Sequence, residues 1–476
     1  MCYKAEVSTP VLVADAPVLA EKRAHHNVTF AILAVGGMSL AVLQSLVAPA
    51  LHVIQLELDT TTTGATWVLT AFLLSASVAT PILGRLGDMF GKKRMLVIAL
   101  CAVAIGTFVA ALASSLELLV AGRVIQGLGG GAFPLAMAII RDEFPPDRVA
   151  SGVALISAIL GVGGGLGIVL AGPIVDHLSY HWLFWLPGVA VSVPAVGAFH
   201  FVPESPIRTP GRIDWWGAVL LSGWLVALLL GLSQGAAWGW TSARVLGLFA
   251  VAVVVAVCWV VVEARTREPL VDMRMMRLRG VWSTNAAGVL IGAGMFGSFI
   301  LIPQLVQMPT STGYGFGASV TEAALYLLPS SLAMLVLSVV AGRLATTVGP
   351  RVPLVLGSLV TASSFAWLTA AHGSPLEIYV GTALLGAGMG LAFSSMANLI
   401  VESVPREQTG VATGMNTITR TIGGSLGGTL SAVIVTSSLS ASGLPDERGF
   451  TLAFGISALA VAGAALAALA APRRAR

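Results

Sequence analysis

This chain is poor in charge. Of 476 residues only 10% are Asp, Glu, Lys or Arg, against about a quarter in a soluble domain, and 56% are hydrophobic. With a mean hydropathy of +0.89 the composition excludes a soluble globular protein and describes a polytopic membrane protein. Cysteine is scarce as well. Cys2, Cys101 and Cys258 form no CxxC pair, and the latter two sit inside apolar runs, so neither a disulfide framework nor a metal site is implied. No HExxH, phosphate-binding glycine loop or Cys/His cluster occurs, and no loop is long enough for a soluble catalytic domain. A membrane enzyme or an ATP-driven machine is therefore disfavoured. The first 27 residues are polar and mixed and lack the basic-then-apolar pattern of a signal peptide, reading as a cytoplasmic N-terminal tail.

What is present is a succession of apolar runs, each long enough to cross a bilayer as a helix; about 14 can be counted. They fall near 28–50, 65–83, 95–114, 117–140, 149–172, 182–202, 214–233, 243–262, 284–307, 320–341, 352–371, 376–400, 410–436 and 449–471. The expected fold class is all-α. An even count places both termini on one side, and the cations choose the side. Arg85, Lys92, Lys93, Arg94, Arg141, Arg148, Arg208, Arg212, the arginines from 265 to 279, Arg343, Arg351, Arg406 and the terminal arginines share one face. Arg244 and Arg448 lie on the other. By the positive-inside rule the crowded face is cytoplasmic, so the net charge of +4 expresses topology and gives no reason to expect a nucleic-acid partner.

Between the second and third runs stands Gly84-Arg85-Leu86-Gly87-Asp88-Met89-Phe90-Gly91-Lys92-Lys93-Arg94. It reads as a tight loop between two spans, with glycines for close approach and positive φ, and with Asp88 free to hold a neighbouring helix end or an arginine. Its degenerate echo, Gly342-Arg343-Leu344-Ala345-Thr346-Thr347-Val348-Gly349-Pro350-Arg351, lies between the second and third of the last six runs, with Thr346 in place of the acid. The fifth run of each half is glycine-rich: Gly161, Gly165, Gly167 and Gly172 in one, Gly424 and Gly428 in the other. Such small-residue stripes suit close helix packing.

The spacing Gly-x-Leu-x-Asp-x-x-Gly-Lys-Lys resembles the cytoplasmic signature of the major facilitator superfamily. Two inserted helices between two six-helix halves further resemble its 14-helix drug:proton antiporter branch. The resemblance implies a 28–202 bundle, a 203–283 segment holding the inserted pair and a basic linker, a 284–471 bundle and a short cytoplasmic tail at 472–476. The linker from 263 to 281 reads equally as an amphipathic helix on anionic headgroups or as a solvated connection. The resemblance also implies a transporter rather than an enzyme, in a bacterial inner membrane. It would need no cofactor, draw on a proton gradient, act as a monomer and move a small amphiphilic organic substrate.

Three further elements bear on chemistry. Arg123, with Gln126 at i+3, resembles the family's Arg-x-x-Gln-Gly element, which is associated with proton coupling. A buried arginine costs at least about 2.5–3.5 kcal/mol on insertion scales, so it should face a cavity or partner unless it snorkels to the interface. Asn416 and Arg420 stand at i, i+4 in the second half and read either as cavity lining or as helix-packing groups. The branch's Gly-Pro-x-x-Gly-Gly element aligns on 167–172, where Ile168 replaces its proline and Pro173 follows. The first run carries Gln44 and Ser45 where branch members often have an acid, and no Asp or Glu lies deep in any span. Candidates for proton coupling are therefore Arg123, Asp88, Glu322 and His52, the last being otherwise a polar loop residue. Candidates for the cavity are Gln44, Trp67, Gln126, Asn285, Met295, Phe296, Gln304, Gln307, Tyr326, Asn416 and Arg420. A mostly apolar pocket with scattered hydrogen bonders suits amphiphiles better than sugars or phosphates. A facilitator, an importer or a carrier of lipid-like substrates is the alternative within the same fold.

Overall fold

The computed structural model describes residues 15–205, 214–438 and 444–472. The first 14 residues, the last four and the arginines at 208 and 212 lie outside them. Among the described residues there are fourteen long helices, α1 Asp15–Leu46, α2 Thr62–Phe90, α3 Lys92–Ala111, α4 Leu116–Glu143, α5 Pro146–His177, α6 Trp182–Phe201 and α7 Trp215–Trp238, followed by α8 Ala243–Arg265, α9 Arg279–Gln307, α10 Val320–Val348, α11 Arg351–Ala370, α12 Pro375–Ser403, α13 Thr409–Ser437 and α14 Glu447–Leu469. Thirteen are long and apolar enough to cross a membrane. The other, α13, is 29 residues long and is diluted by Asn416, Arg420, threonines and glycines. Helices satisfy their backbone hydrogen bonds internally, which apolar surroundings demand. Six of the seven even-numbered helices start at the less basic face behind polar caps: Thr61, Ser115, Ser242 and Asp446 on α2, α4, α8 and α14, and complete capping boxes at Ser319/Glu322 and Ser374/Glu377 on α10 and α12.

One expectation changes at helix ends. The 84–94 stretch is not a loop: α2 continues through Phe90, and the chain turns at one residue, Gly91, whose φ is +116°. Gly84, Gly87 and Asp88 are thus helical, and the glycines serve close packing rather than turning. The echo behaves likewise, with α10 running to Val348 and a turn at Gly349, φ +84°. α1 begins at Asp15, ahead of its membrane-crossing stretch, which is His26–Leu46; the stretch from 15 to 26 holds good helix formers and no glycine. At its other end α1 stops before Pro49, and a short helix, Leu51–Glu57, follows.

Packing repeats between the halves. In α1–α6, α1 rests on α5 and α6, α2 on α4, and α3 on α4 and α6; in α9–α14, α9 rests on α13 and α14, α10 on α12, and α11 on α12 and α14. The halves meet along two seams, α2 with α13 and α5 with α10. Two glycine stripes let α5 serve both its neighbours: Gly163 and Gly167 abut α1, while Gly161, Gly165 and Gly172 abut Met334, Ser331 and Thr321 of α10. On α13, Gly424 and Gly428 receive Phe296 and Ile300 of α9. The pair α7–α8 breaks this symmetry. It packs beside the α2–α13 seam, where Thr70 and Ser233 share a 2.6 Å hydrogen bond and Thr429 donates to the Leu232 carbonyl at 3.5 Å. The linker after α8 is not one long amphipathic helix, and its arginines 265, 267, 274, 277 and 279 are exposed. It forms one turn, Met273–Met276, and buries Leu270, Val271 and Met275 against Leu221, Trp259 and Val411.

Candidate functional site

At the basic end the two halves are joined by contacts that include the following four. Gly84 of α2 lies against the α13 backbone so closely that a Cβ there would stand 2.7 Å from the Gly410 carbonyl oxygen. Asp88, one helical turn on, accepts the Val411 amide at 3.4 Å. A carboxylate at that point complements the positive end of the α13 dipole. Arg141 of α4 donates to the carbonyls of Val404 at 2.7 Å and Pro405 at 3.2 Å, and also to Thr409. The Val404 carbonyl lies at the end of α12, while that of Pro405 also accepts the Gln408 amide at 3.1 Å. Asn398 of α12 donates to the Ala150 carbonyl of α5 at 3.2 Å.

Behind this closure lies a buried ionic cluster. Lys92 is fully buried, pairs with the Asp142 carboxylate, and lies 3.9 Å from Asp88. Ser205 also donates to Asp142, and Glu204 accepts the amides of Lys93 and Arg94 at 3.1 and 3.3 Å. The chain leaving α6 thereby caps the first turn of α3. Of the signature cations, Lys92 alone is buried in ion pairs; Arg94 is exposed. Sequence reasoning placed Arg141 among the loop cations and gave Asp142 and Glu204 no role, because their partners lie 50 to 268 residues away.

Between the halves is a cavity of about 580 Å³, within the range of drug-sized sites. It runs from Phe72 and Phe393 in mid-helix to Gln307 and Ala323, near the ends of α9 and α10 that face away from the closure. Arg123 lines it and is fully buried. Its Nε donates to the Val68 carbonyl at 2.9 Å and its Nη1 to Gln126 Oε1 at 2.7 Å, while Gln126 Nε2 reaches Thr107 at 3.0 Å. The guanidinium lies 4.5 Å from the Phe72 ring centroid. Arg420 also lines the cavity, 4.8 Å from the Phe393 ring.

The structure therefore gathers Gln44, Arg123, Met295, Phe296, Gln307 and Arg420 on the cavity wall, with Gly161 and Gly165. It places other candidates elsewhere. Gln126 is buried behind Arg123, and Asn416 donates to Asn285 at 3.0 Å, joining α13 to α9. Tyr326 stacks between Phe316 and Tyr379. Trp67 and Gln304 are half-buried and off the wall. Glu322 is exposed and engaged in the α10 capping box, so it does not meet Arg123. His52 falls on the Leu51–Glu57 helix, and its side chain lies outside the described residues.

Residues 33–428 and 285–476 match the family model described as Major Facilitator Superfamily. The multidrug transporter protein MdtP of Bacillus subtilis is 30% identical over 353 residues, 73% of this chain and 64% of its own length. The tetracenomycin C resistance and export protein of Streptomyces glaucescens is 30% identical over 393 residues, 81% of this chain and 72% of its own. The match thus spans a little under two thirds of the Bacillus relative. Among solved structures the human organic anion transporter MFSD10 superposes with a TM-score of 0.65 over 94% of this chain and 99% of its own, at 16% identity, a likeness of fold alone. On the family match and the relatives' identity, this chain belongs to the Major Facilitator Superfamily.

Proposed function

We propose that this protein exports amphiphilic organic compounds by alternating access, with inward proton flow as the driving force. The observation that carries the reading is the cavity between the halves, apolar over most of its wall and sealed from the basic end by the contacts of Gly84, Asp88, Arg141 and Asn398. On the positive-inside rule the basic end would be cytoplasmic, making this an outward-facing arrangement with both termini on the cytoplasmic side of a bacterial inner membrane. Rocking of the halves would open the other side. The relatives named for multidrug and antibiotic export favour outward transport of drug-like molecules.

Asp88 is the group through which a proton would act on this closure. As a carboxylate it is attracted to the α13 N-terminus and to Lys92; neutralised, it loses both attractions and the cytoplasmic side is freed to open. Lys92 and Asp142 would remain paired and hold α3 to α4 through the change. The protein is proposed to act as a monomer without a cofactor.

A second reading, a facilitator, importer or carrier of lipid-like substrates, is favoured by one feature. No Asp or Glu stands among the described residues of the cavity wall, so no carboxylate there can exchange a proton for substrate. Inside-out membrane vesicles separate the two. Uptake of fluorescent amphiphiles of positive, zero and negative charge is followed with and without an imposed gradient, acid inside, for wild type and Arg123→Ala. Gradient-dependent accumulation that the variant loses is the expected result. Uptake indifferent to the gradient would overturn proton-driven export and leave the facilitator.

A further inference from the structure

We propose that the central cavity selects anionic amphiphiles, and that Arg123 and Arg420 hold the acid group. This rests on the reading of that cavity as the substrate site, but not on the direction of transport or its coupling.

The argument begins with charge. Two arginines, one from each half, line the cavity, and its described wall contains no Asp or Glu. The described ion pairs, of Lys92 with Asp88 and Asp142 and of His372 with Glu447, involve neither arginine. A guanidinium withdrawn from water without a counter-ion is unfavourable, and the site is improved by any anion that reaches it.

Hydrogen bonding adds an independent reason. Arg123 is fully buried; its Nε and Nη1 have protein partners, but its Nη2 has none. A buried donor left unmade costs about 1–3 kcal/mol, and a carboxylate, sulfonate or phosphate oxygen would satisfy it. The Val68 carbonyl and Gln126 hold Nε and Nη1, and the guanidinium carbon lies 4.5 Å from the Phe72 ring centroid, so the unpartnered Nη2 is fixed in direction before a ligand arrives. Arg420 rests on Phe393 in the same way. The edge of a planar guanidinium can receive two oxygens of one acid.

The remaining wall decides the rest of the ligand. Phe296, Phe299, Met334 and Met389 offer apolar surface for a ring system, with Gln44 and Gln307 as neutral hydrogen bonders. A permanently cationic amphiphile fits the volume but meets two like charges in low dielectric, so the same residues exclude it. Acid group and apolar body are both required.

The test uses two molecules that differ by one acid group, 8-anilino-1-naphthalenesulfonate and N-phenyl-1-naphthylamine. Their dissociation constants are measured by equilibrium dialysis against the full-length protein in nanodiscs, with empty nanodiscs subtracted. Wild type should bind the sulfonate at least about tenfold more tightly, which corresponds to about 1.4 kcal/mol. In Arg420→Gln that ratio should fall below about threefold, and ethidium should gain affinity. Because Arg123 is fully buried, the milder Arg123→Lys is used there; it retains the charge while losing the fork, and should lower the ratio in part. Removing an exposed cation on the outer end of α14, by Arg448→Gln, should leave the ratio alone. Equal affinities in wild type, or a ratio unchanged in Arg420→Gln, would overturn the proposal. Because binding needs no gradient, sulfonate selectivity without gradient-driven uptake would reject proton-driven export and keep this inference. Gradient-driven uptake of a cation alone would do the reverse.

Discussion

Replacing Gly84 with alanine should open the basic end without harming the helix that carries it. An added Cβ would stand 2.7 and 2.8 Å from the oxygen and carbon of the Gly410 carbonyl and 3.1 Å from the Val411 nitrogen. All three are backbone atoms of α13, so no side chain can rotate away. Overpacking of this kind costs typically about 1–3 kcal/mol, and the cost falls only on the conformation in which α2 and α13 touch. Alanine is also a better helix former than glycine by about 1 kcal/mol, but that gain is shared by open and closed forms and cancels. At about 1.4 kcal/mol per tenfold, the closed-to-open ratio should drop roughly 5- to 150-fold. The assay is pulsed dipolar spectroscopy between spin labels at Arg148→Cys and Arg406→Cys, exposed positions on opposite halves at the basic end, with the native cysteines replaced. Wild type should give a single short distance and Gly84→Ala a second, longer one. Gly164→Ala is the control, because nothing lies within 4 Å of its Cβ position. A folded Gly84→Ala protein with the wild-type distribution would refute the reasoning that the glycine exists for this contact.

Other perturbations follow from the same geometry. Asp88→Asn removes the charge from the α13 N-terminus, a contribution of about 0.3–2 kcal/mol; transport should fall strongly with normal membrane insertion, and full activity would remove Asp88 from the closure. Gly386→Ala should reduce folded yield in a detergent-stability assay, by about 1–3 kcal/mol of overpacking, because its Cβ would lie 1.9 Å from the Ser330 carbonyl oxygen of α10. Gly247→Ala, facing open space on α8, should be neutral in the same assay.

Much of this was readable before any coordinates. Long apolar runs, basic loops on alternate turns and a repeated glycine-rich signature are one-dimensional features, and they depend on the bilayer and on composition rather than on which helix meets which. The helical character, the approximate count and the family follow from them. Helix ends were less accessible. The 84–94 stretch has the glycines and charges of a loop, yet its helix continues to Phe90, because Gly84 and Asp88 are spent on contacts with residues more than 320 positions away.

The cavity shows most clearly where the sequence stops. Helices that are apolar all round give no sign of which side meets lipid, a neighbour or an internal space, so hydropathy could not separate Gln44 and Gln307, on the wall, from Gln304, off it. The spacing of Arg123 and Gln126 was visible; that Gln126 is consumed in holding Arg123 was not. The want of acids was visible too. Only packing set two arginines from different halves on one cavity wall with no carboxylate among them, because burial and counter-ion distance are properties of three-dimensional neighbours. Composition and apolar runs determined that the chain is a helical membrane protein, and the resemblance of its 84–94 signature pointed to the family; tertiary structure decided which of its few charges face one another and which face the space between the halves.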